Sequence, residues 1–312
     1  MTAAKTDTQP ALVLQYLRRY RDDGIQPVQI VLTLMLMGVL LWLNYRHGLE
    51  RNWVYTSTGF PIRMIASAIL YLLPLVLALV IFFITHPQHA GWRKPQLWLV
   101  LLVACLLFAA RVHFKAHQPI LLPYLPAEKS GLYLHALNWI VRAVFTISGL
   151  WIFWKVTRRE SEPFYGMQAT RQWKPYVLML LLMLPLCWMA ARQPDFQQMY
   201  PRIQPYLKSG MNSADYLFFE VAYAVDFFSI ELFFRGFLIL VLSRYLGTAA
   251  ILPVACFYCT IHFGKPMGEA IGSLFGGWIL GIVVYYSRSI WGGLLVHLGI
   301  ALLMELLGYF FR

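Results

Sequence analysis

Ser229-Ile-Glu-Leu-Phe-Phe-Arg-Gly236 sets a carboxylate and a guanidinium four residues apart inside a long apolar run. A charged side chain in a membrane span costs about 2.5–3.5 kcal/mol on insertion scales, so such residues are rarely there without a task. The i, i+4 spacing puts Glu231 and Arg235 on one helix face. An arginine beside a glutamate keeps the carboxylate ionised, and each lowers the burial cost of the other. An ion pair that only locks helices together carries the same signature, so the pair alone leaves both readings open. Two further polar outliers follow on later apolar segments: His262, and His297 with Glu305.

The surroundings of that stretch set the fold class. The chain has 312 residues, 59% hydrophobic and 13% charged, against roughly 25% charge in soluble domains. We therefore expect an all-α, polytopic transmembrane helical bundle with about 8–9 spans. Such a protein is integral and multi-pass, in the plasma membrane or, in a bacterium, the inner membrane. The formal net charge is +12, from 26 Lys and Arg against 14 Asp and Glu. In a membrane protein this reads as basic loops facing anionic lipid headgroups, not as a nucleic-acid partner. Cys105, Cys187, Cys256 and Cys259 all sit in apolar runs, which argues against a disulfide framework. Cys256-x-x-Cys259 has redox or metal spacing, but two small apolar residues on one helix face are the plainer reading. The first 27 residues are polar, with Arg18, Arg19 and Arg21 and no apolar core before small residues. No cleavable signal peptide is expected there, and the first span is expected to act as the insertion signal.

Apolar runs place spans near 28–45, 62–85, 96–113, 134–156, 174–191, 214–243, 248–263, 268–287 and 290–310. A span needs about 20 apolar residues. Segment 96–113 ends at Arg111, which reads as a loop charge. Segment 214–243 is about 45 Å long as a helix, more than a ~30 Å hydrocarbon core, and it holds Glu220, Asp226, Glu231 and Arg235. It is either a long tilted helix or one that breaks near Asp226–Ser229; we favour the break. Basic residues divide too evenly between alternate loops for the positive-inside rule to orient the chain. Trp92, Trp98, Trp151, Trp154 and Trp173 read as interface anchors, and Arg142 as a snorkelling or paired charge. The polar outliers cluster late. This divides the chain into residues 1–213, an N-terminal transmembrane support region, and residues 214–312, a transmembrane core carrying the chemistry.

His262 closes the run Phe257-Tyr-Cys-Thr-Ile-His-Phe-Gly264, where Gly264 suits a helix C-cap and Pro266 the first turn of the next helix. Glu269, in that first turn, suits the positive end of the helix dipole; alternatively its carboxylate is aimed back at His262. His297 lies mid-span, and Glu305 falls about 80° from it around a helix. Gly272, Gly276, Gly277, Gly281, Gly292 and Gly293 permit close helix packing around a shared cavity. Peptide hydrolysis needs an activated water, a proton shuttle and a stabilised oxyanion. A carboxylate with one His activates water, and a second His donates to the oxyanion. No serine stands in a nucleophile motif beside these residues, and His-Glu-x-x-His is absent. No cofactor is expected. A divalent metal such as zinc is the alternative, held by Glu231, His262 and His297, which are acceptable ligand types.

Glu231-Leu-Phe-Phe-Arg235-Gly236, a His about thirty residues on, and a mid-span His near the C-terminus resemble the CAAX-protease and bacteriocin-processing (CPBP, or Abi) family of intramembrane endopeptidases. The resemblance covers about residues 214–310. The family's motifs are Glu-Glu-x-x-x-Arg, then an aromatic three or four residues before His, then His-x-x-x-Asn. Here Ile230 stands for the leading Glu, usually taken as the water-activating base. Tyr258 or Phe257 precedes His262, and Ala301 stands for the Asn. The resemblance implies an endopeptidase acting on a prenylated CAAX-type peptide or a leader peptide. Glu231 and His262 would activate water, Arg235 would hold Glu231, and His297 would stabilise the oxyanion, with Glu269 or Glu305 in support. The expected partners are membrane lipid and an apolar peptide or membrane-protein substrate. The two departures favour a second reading, a non-catalytic scaffold or regulator of the same fold. A proton-coupled transporter also places Glu, Arg and His within spans, but no paired halves are found.

Overall fold

The computed structural model describes residues 11–23, 25–157, 163–170, 172–207 and 210–311. These residues form helices and connections, with no strand among them. In chain order the helices are α1 Ala11–Asp22, α2 Pro27–His47, α3 Phe60–Thr85, α4 Pro95–His113, α5 Gln118–Leu121, α6 Ser130–Thr157, α7 Lys174–Ala191, α8 Pro194–Met199, α9 Ser213–Glu231, α10 Leu240–Leu246, α11 Ile251–Thr260, α12 Met267–Ser287 and α13 Trp291–Phe310. A π-helical stretch, Leu232–Ile239, joins α9 to α10. Pro27, Pro95 and Pro194 open their helices, where a missing N–H costs nothing. Asn212 and Asp215 bond reciprocally to each other's backbone N–H and start α9 with a capping box.

Seven helical segments are long and apolar enough to cross a membrane: Pro27–His47, Phe60–Thr85, Pro95–Tyr124, Ala127–Thr157, Lys174–Ala191, Met267–Ser287 and Trp291–Phe310. The protein is a multi-pass integral membrane bundle. The expected eight to nine spans are corrected to seven candidates for two physical reasons. The run 248–263 yields only the ten residues of α11, about 15 Å of helix and half of a hydrocarbon core. The run 214–243 is helical but carries Asp215, Glu220, Asp226 and Glu231 within α9.

The favoured break near Asp226–Ser229 is also corrected. The helix passes through these residues and continues, by way of the π stretch, to Leu246. Asp226 is tolerated there because it pairs with Arg111 of α4, which also reaches the Ser229 hydroxyl at 3.3 Å. Arg111 is therefore a buried partner, not the loop charge expected of it.

The core lies around the π stretch and α11, in which every residue is buried. Phe234 and Phe257 pack edge-on against Phe108 of α4, Phe233 packs tilted against it, and Tyr71 of α3 lies against Phe257. α11 packs between α12 and α3, α6 lies along α9, and α13 along α7. One hydrophobic cluster thus contains Leu75, Leu101 and Phe108 from the first half together with Phe233, Val254 and Ile282 from the second. Trp92, Trp98, Trp151 and Trp173 keep their rings on the outer surface, while the Trp154 ring packs on Phe164. Arg142 reaches the carbonyl of Val112 at 3.4 Å.

Candidate active site

Glu231 is the last residue of α9, and Arg235 lies within the π stretch that follows. Single π turns inside longer helices often mark functional positions. Both side chains are shut away from solvent, at 0% and 2% exposure, with Arg235 Nη1 at 3.2 Å from Glu231 Oε1. The pair is a charge contact without hydrogen-bond alignment. Both terminal nitrogens of Arg235 and the Oε2 of Glu231 are buried with no hydrogen-bond partner among the described residues. The guanidinium carbon instead lies 4.0 Å from the ring centre of Tyr258, a cation–π contact.

The remaining Glu231 oxygen meets α13. His297 Nδ1 is 2.7 Å from Glu231 Oε1. A carboxylate only accepts, so the ring proton sits on Nδ1 and Nε2 is left as an acceptor. The Tyr258 hydroxyl donates to that Nε2 at 2.7 Å. Gly293 allows this approach: a Cβ there would lie 3.0 Å from Glu231 Oε2. Gly277 does the same on the other side, where a Cβ would come within 3.0 Å of the Tyr258 ring. Of the glycines expected to permit close packing, Gly272 and Gly276 have open space where a side chain would go.

His262 follows the end of α11, in a turn held by His262 N–H to the Cys259 carbonyl at 3.0 Å. α11 stops at Thr260, so Gly264 is not its cap as expected. His262 Nδ1 donates to the backbone carbonyl of Tyr258 at 2.8 Å. Its lone pair therefore lies on Nε2, with no hydrogen-bond partner among the described residues. The His262 ring sits 4.8 Å from the Tyr258 ring, and the His297 ring 5.7 Å from it.

The structure thus brings together Glu231, Arg235 and His297 directly, and His262 through Tyr258. Tyr258 was named in the sequence only as an aromatic marker before His262; nothing in its spacing pointed to its hydroxyl. Glu269 pairs with Lys265 and accepts the Tyr200 hydroxyl at 3.0 Å. It lies within electrostatic reach of His262 but makes no hydrogen bond to it. Glu305 is placed elsewhere: its Oε2 accepts the Arg202 backbone N–H at 2.8 Å and fixes the chain after Tyr200. No three His, Cys, Asp or Glu side chains among the described residues converge as metal ligands. His297 has both nitrogens engaged and His262 has one. Cys256 and Cys259 are free and buried.

Residues 212–303 match the family model described as Rce1-like, type II CAAX prenyl endopeptidase. Over these residues the chain is similar to the CAAX-protease family. The Rce1-like region begins at the cap of α9 and ends inside α13, so it contains Glu231, Arg235, Tyr258, His262 and His297. No curated protein and no solved structure matches the chain. The likeness of this region is to a membrane-embedded protease family. Ile230, where that family's leading Glu is expected, packs against the main hydrophobic core. Ala301, where its Asn is expected, is buried beside Phe227 and Trp139.

Proposed function

We propose that this protein is an intramembrane endopeptidase that hydrolyses a peptide bond near the C-terminus of a prenylated, CAAX-type substrate without a metal. His262 Nε2 takes a proton from water as the water oxygen attacks the scissile carbonyl carbon. The Tyr258 hydroxyl, held at rest by His297 and Glu231, turns its single proton from His297 Nε2 to the developing oxyanion. When the C–N bond breaks, the proton held by His262 passes to the leaving amine. Arg235 keeps Glu231 charged, and Glu231 keeps His297 in the tautomer that accepts from Tyr258. Relative to the sequence reading, this moves Glu231 from base to positioning residue and gives Tyr258 the oxyanion role. The observation that carries it is two imidazoles flanking one tyrosine, one with a free Nε2 and the other fixed by a buried carboxylate.

The test uses purified protein in lipid nanodiscs and a farnesylated C-terminal peptide, with released fragments measured by mass spectrometry. Wild type is expected to cut. His262→Ala and His297→Ala are expected to lose about 10²-fold or more, and Tyr258→Phe about 10–10²-fold, in line with losses of a general base or an oxyanion donor. Phenanthroline and EDTA are expected to leave the rate unchanged; inhibition reversed by zinc would overturn the metal-free reading. One observation favours a second reading, a substrate-binding scaffold: both positions where family polar groups are expected hold packed apolar side chains, Ile230 and Ala301. A wild type that binds the farnesylated peptide yet never cuts it decides for the scaffold.

A further inference from the structure

Away from the Rce1-like site, the α1–α2 junction, the end of α3 and the α10–α11 junction enclose a cavity of about 150 Å³. Asp23, Gln29, Phe82, His86, His89 and Thr248 line it. Gln29 lies in the first turn of α2, a 21-residue helix whose N-terminus carries the positive end of its dipole. Gln29 is 1% exposed, and its Nε2 has no hydrogen-bond partner among the described residues. Buried amide groups are normally paired, so this one faces the cavity with its donors unspent.

The other groups have the same polarity. His89 Nδ1 accepts the Gly91 N–H at 3.1 Å, which leaves the ring proton on Nε2 as a donor. Burial and the neighbouring His86 hold the His89 pKa below its ordinary value, so the ring is neutral. Phe82 braces both imidazoles, with ring centres 4.7 and 5.0 Å away. Thr248 adds a hydroxyl. An amide, an imidazole N–H, a hydroxyl and a helix N-terminus are an anion's complement. No three His, Cys, Asp or Glu side chains converge as metal ligands here among the described residues. Asp23 is the exception, and it lies at the exposed mouth with one oxygen accepting the Tyr286 hydroxyl at 2.6 Å. Its charge suits a cation just outside the anion. The ends of α2 and α3 put the cavity at headgroup depth.

We propose that this cavity binds a phosphate ester bearing an amine, the chemistry of phosphoethanolamine, with phosphate at Gln29, His89 and Thr248 and ammonium at Asp23. The headgroup comes from a membrane lipid or is free in solution. The full chain in detergent micelles is titrated with phosphatidylethanolamine, phosphatidylglycerol or diacylglycerol, and retained ligand is read by native mass spectrometry. Phosphatidylethanolamine is expected to be retained at least tenfold over diacylglycerol, and Gln29→Leu to lower its retention at least tenfold. Asp23→Asn is expected to erase the preference over phosphatidylglycerol. Competition by millimolar phosphoethanolamine assigns the site to the free headgroup; its failure, with lipid still retained, assigns it to the lipid. Equal retention of diacylglycerol overturns the proposal. So does wild-type retention in Thr248→Val/His89→Phe, the variant that decides if Gln29→Leu does not fold.

Discussion

Glu50 connects α2 to α3 outside the candidate spans. It is 9% exposed, and burial pushes its carboxyl up to about 7. Its backbone N–H donates to Asn44 Oδ1 at 3.0 Å, and Asn44 Nδ2 donates to the Phe263 carbonyl, beside His262, at 2.9 Å. A carboxyl whose folded pKa lies above its unfolded one holds more protons in the native state between those two values. Its contribution is therefore complete below about pH 4.5 and is lost as pH rises towards 7 and beyond. We predict that Glu50→Gln matches wild type in thermal melts at pH 4 and exceeds it at pH 8, by on the order of 2–3 kcal/mol. Parallel melting curves across that range would remove the burial argument. His262 and Tyr258 show a different kind of residue-scale effect. Their chemistry depends on which ring nitrogen carries the proton, and that follows from one backbone carbonyl and one carboxylate on separate helices.

Those partners explain what was legible at the scale of elements. The helical class, the membrane setting and the grouping of Glu231, Arg235 and His297 were readable, because charge inside an apolar run is visible in one dimension. Arg111 with Asp226 was not, since the two are far apart in sequence and each resembled a helix end or a break. Tyr258 was hidden because an aromatic residue in an apolar helix looks the same whether its hydroxyl is used or idle. The length of α11 was misjudged because hydropathy continues through the turn that carries His262. The Arg111–Asp226 pair sets its own prediction. Arg111→Met alone leaves an unpaired buried carboxylate and should cost about 3–5 kcal/mol, whereas Arg111→Met with Asp226→Leu should recover most of it. Denaturant melts in detergent measure both. A double variant no better than the single one would show that the pair does not act as a unit.

At the scale of the molecule, the family match starts at residue 212, but the packing does not. Phe233, Phe234 and Phe257 close their cluster on Tyr71 and Phe108, and the α11 core includes Leu75 and Leu79 of α3. The turn bearing His262 is tied to α2 by Asn44 and by the Tyr45 hydroxyl, which donates to the Lys265 carbonyl at 2.7 Å. A fragment of residues 212–312 would expose these faces and lose the Arg111 partner of Asp226. It should therefore lack a cooperative melt when purified in detergent, and it should not cut a farnesylated peptide. Co-expression with residues 1–211 as a separate chain should restore both, because the contacts between the two parts are side-chain packing and hydrogen bonds that need no covalent link. An isolated 212–312 fragment that melts cooperatively would mean that the first half is dispensable for the core, and the shared aromatic cluster would then carry little of the stability assigned to it.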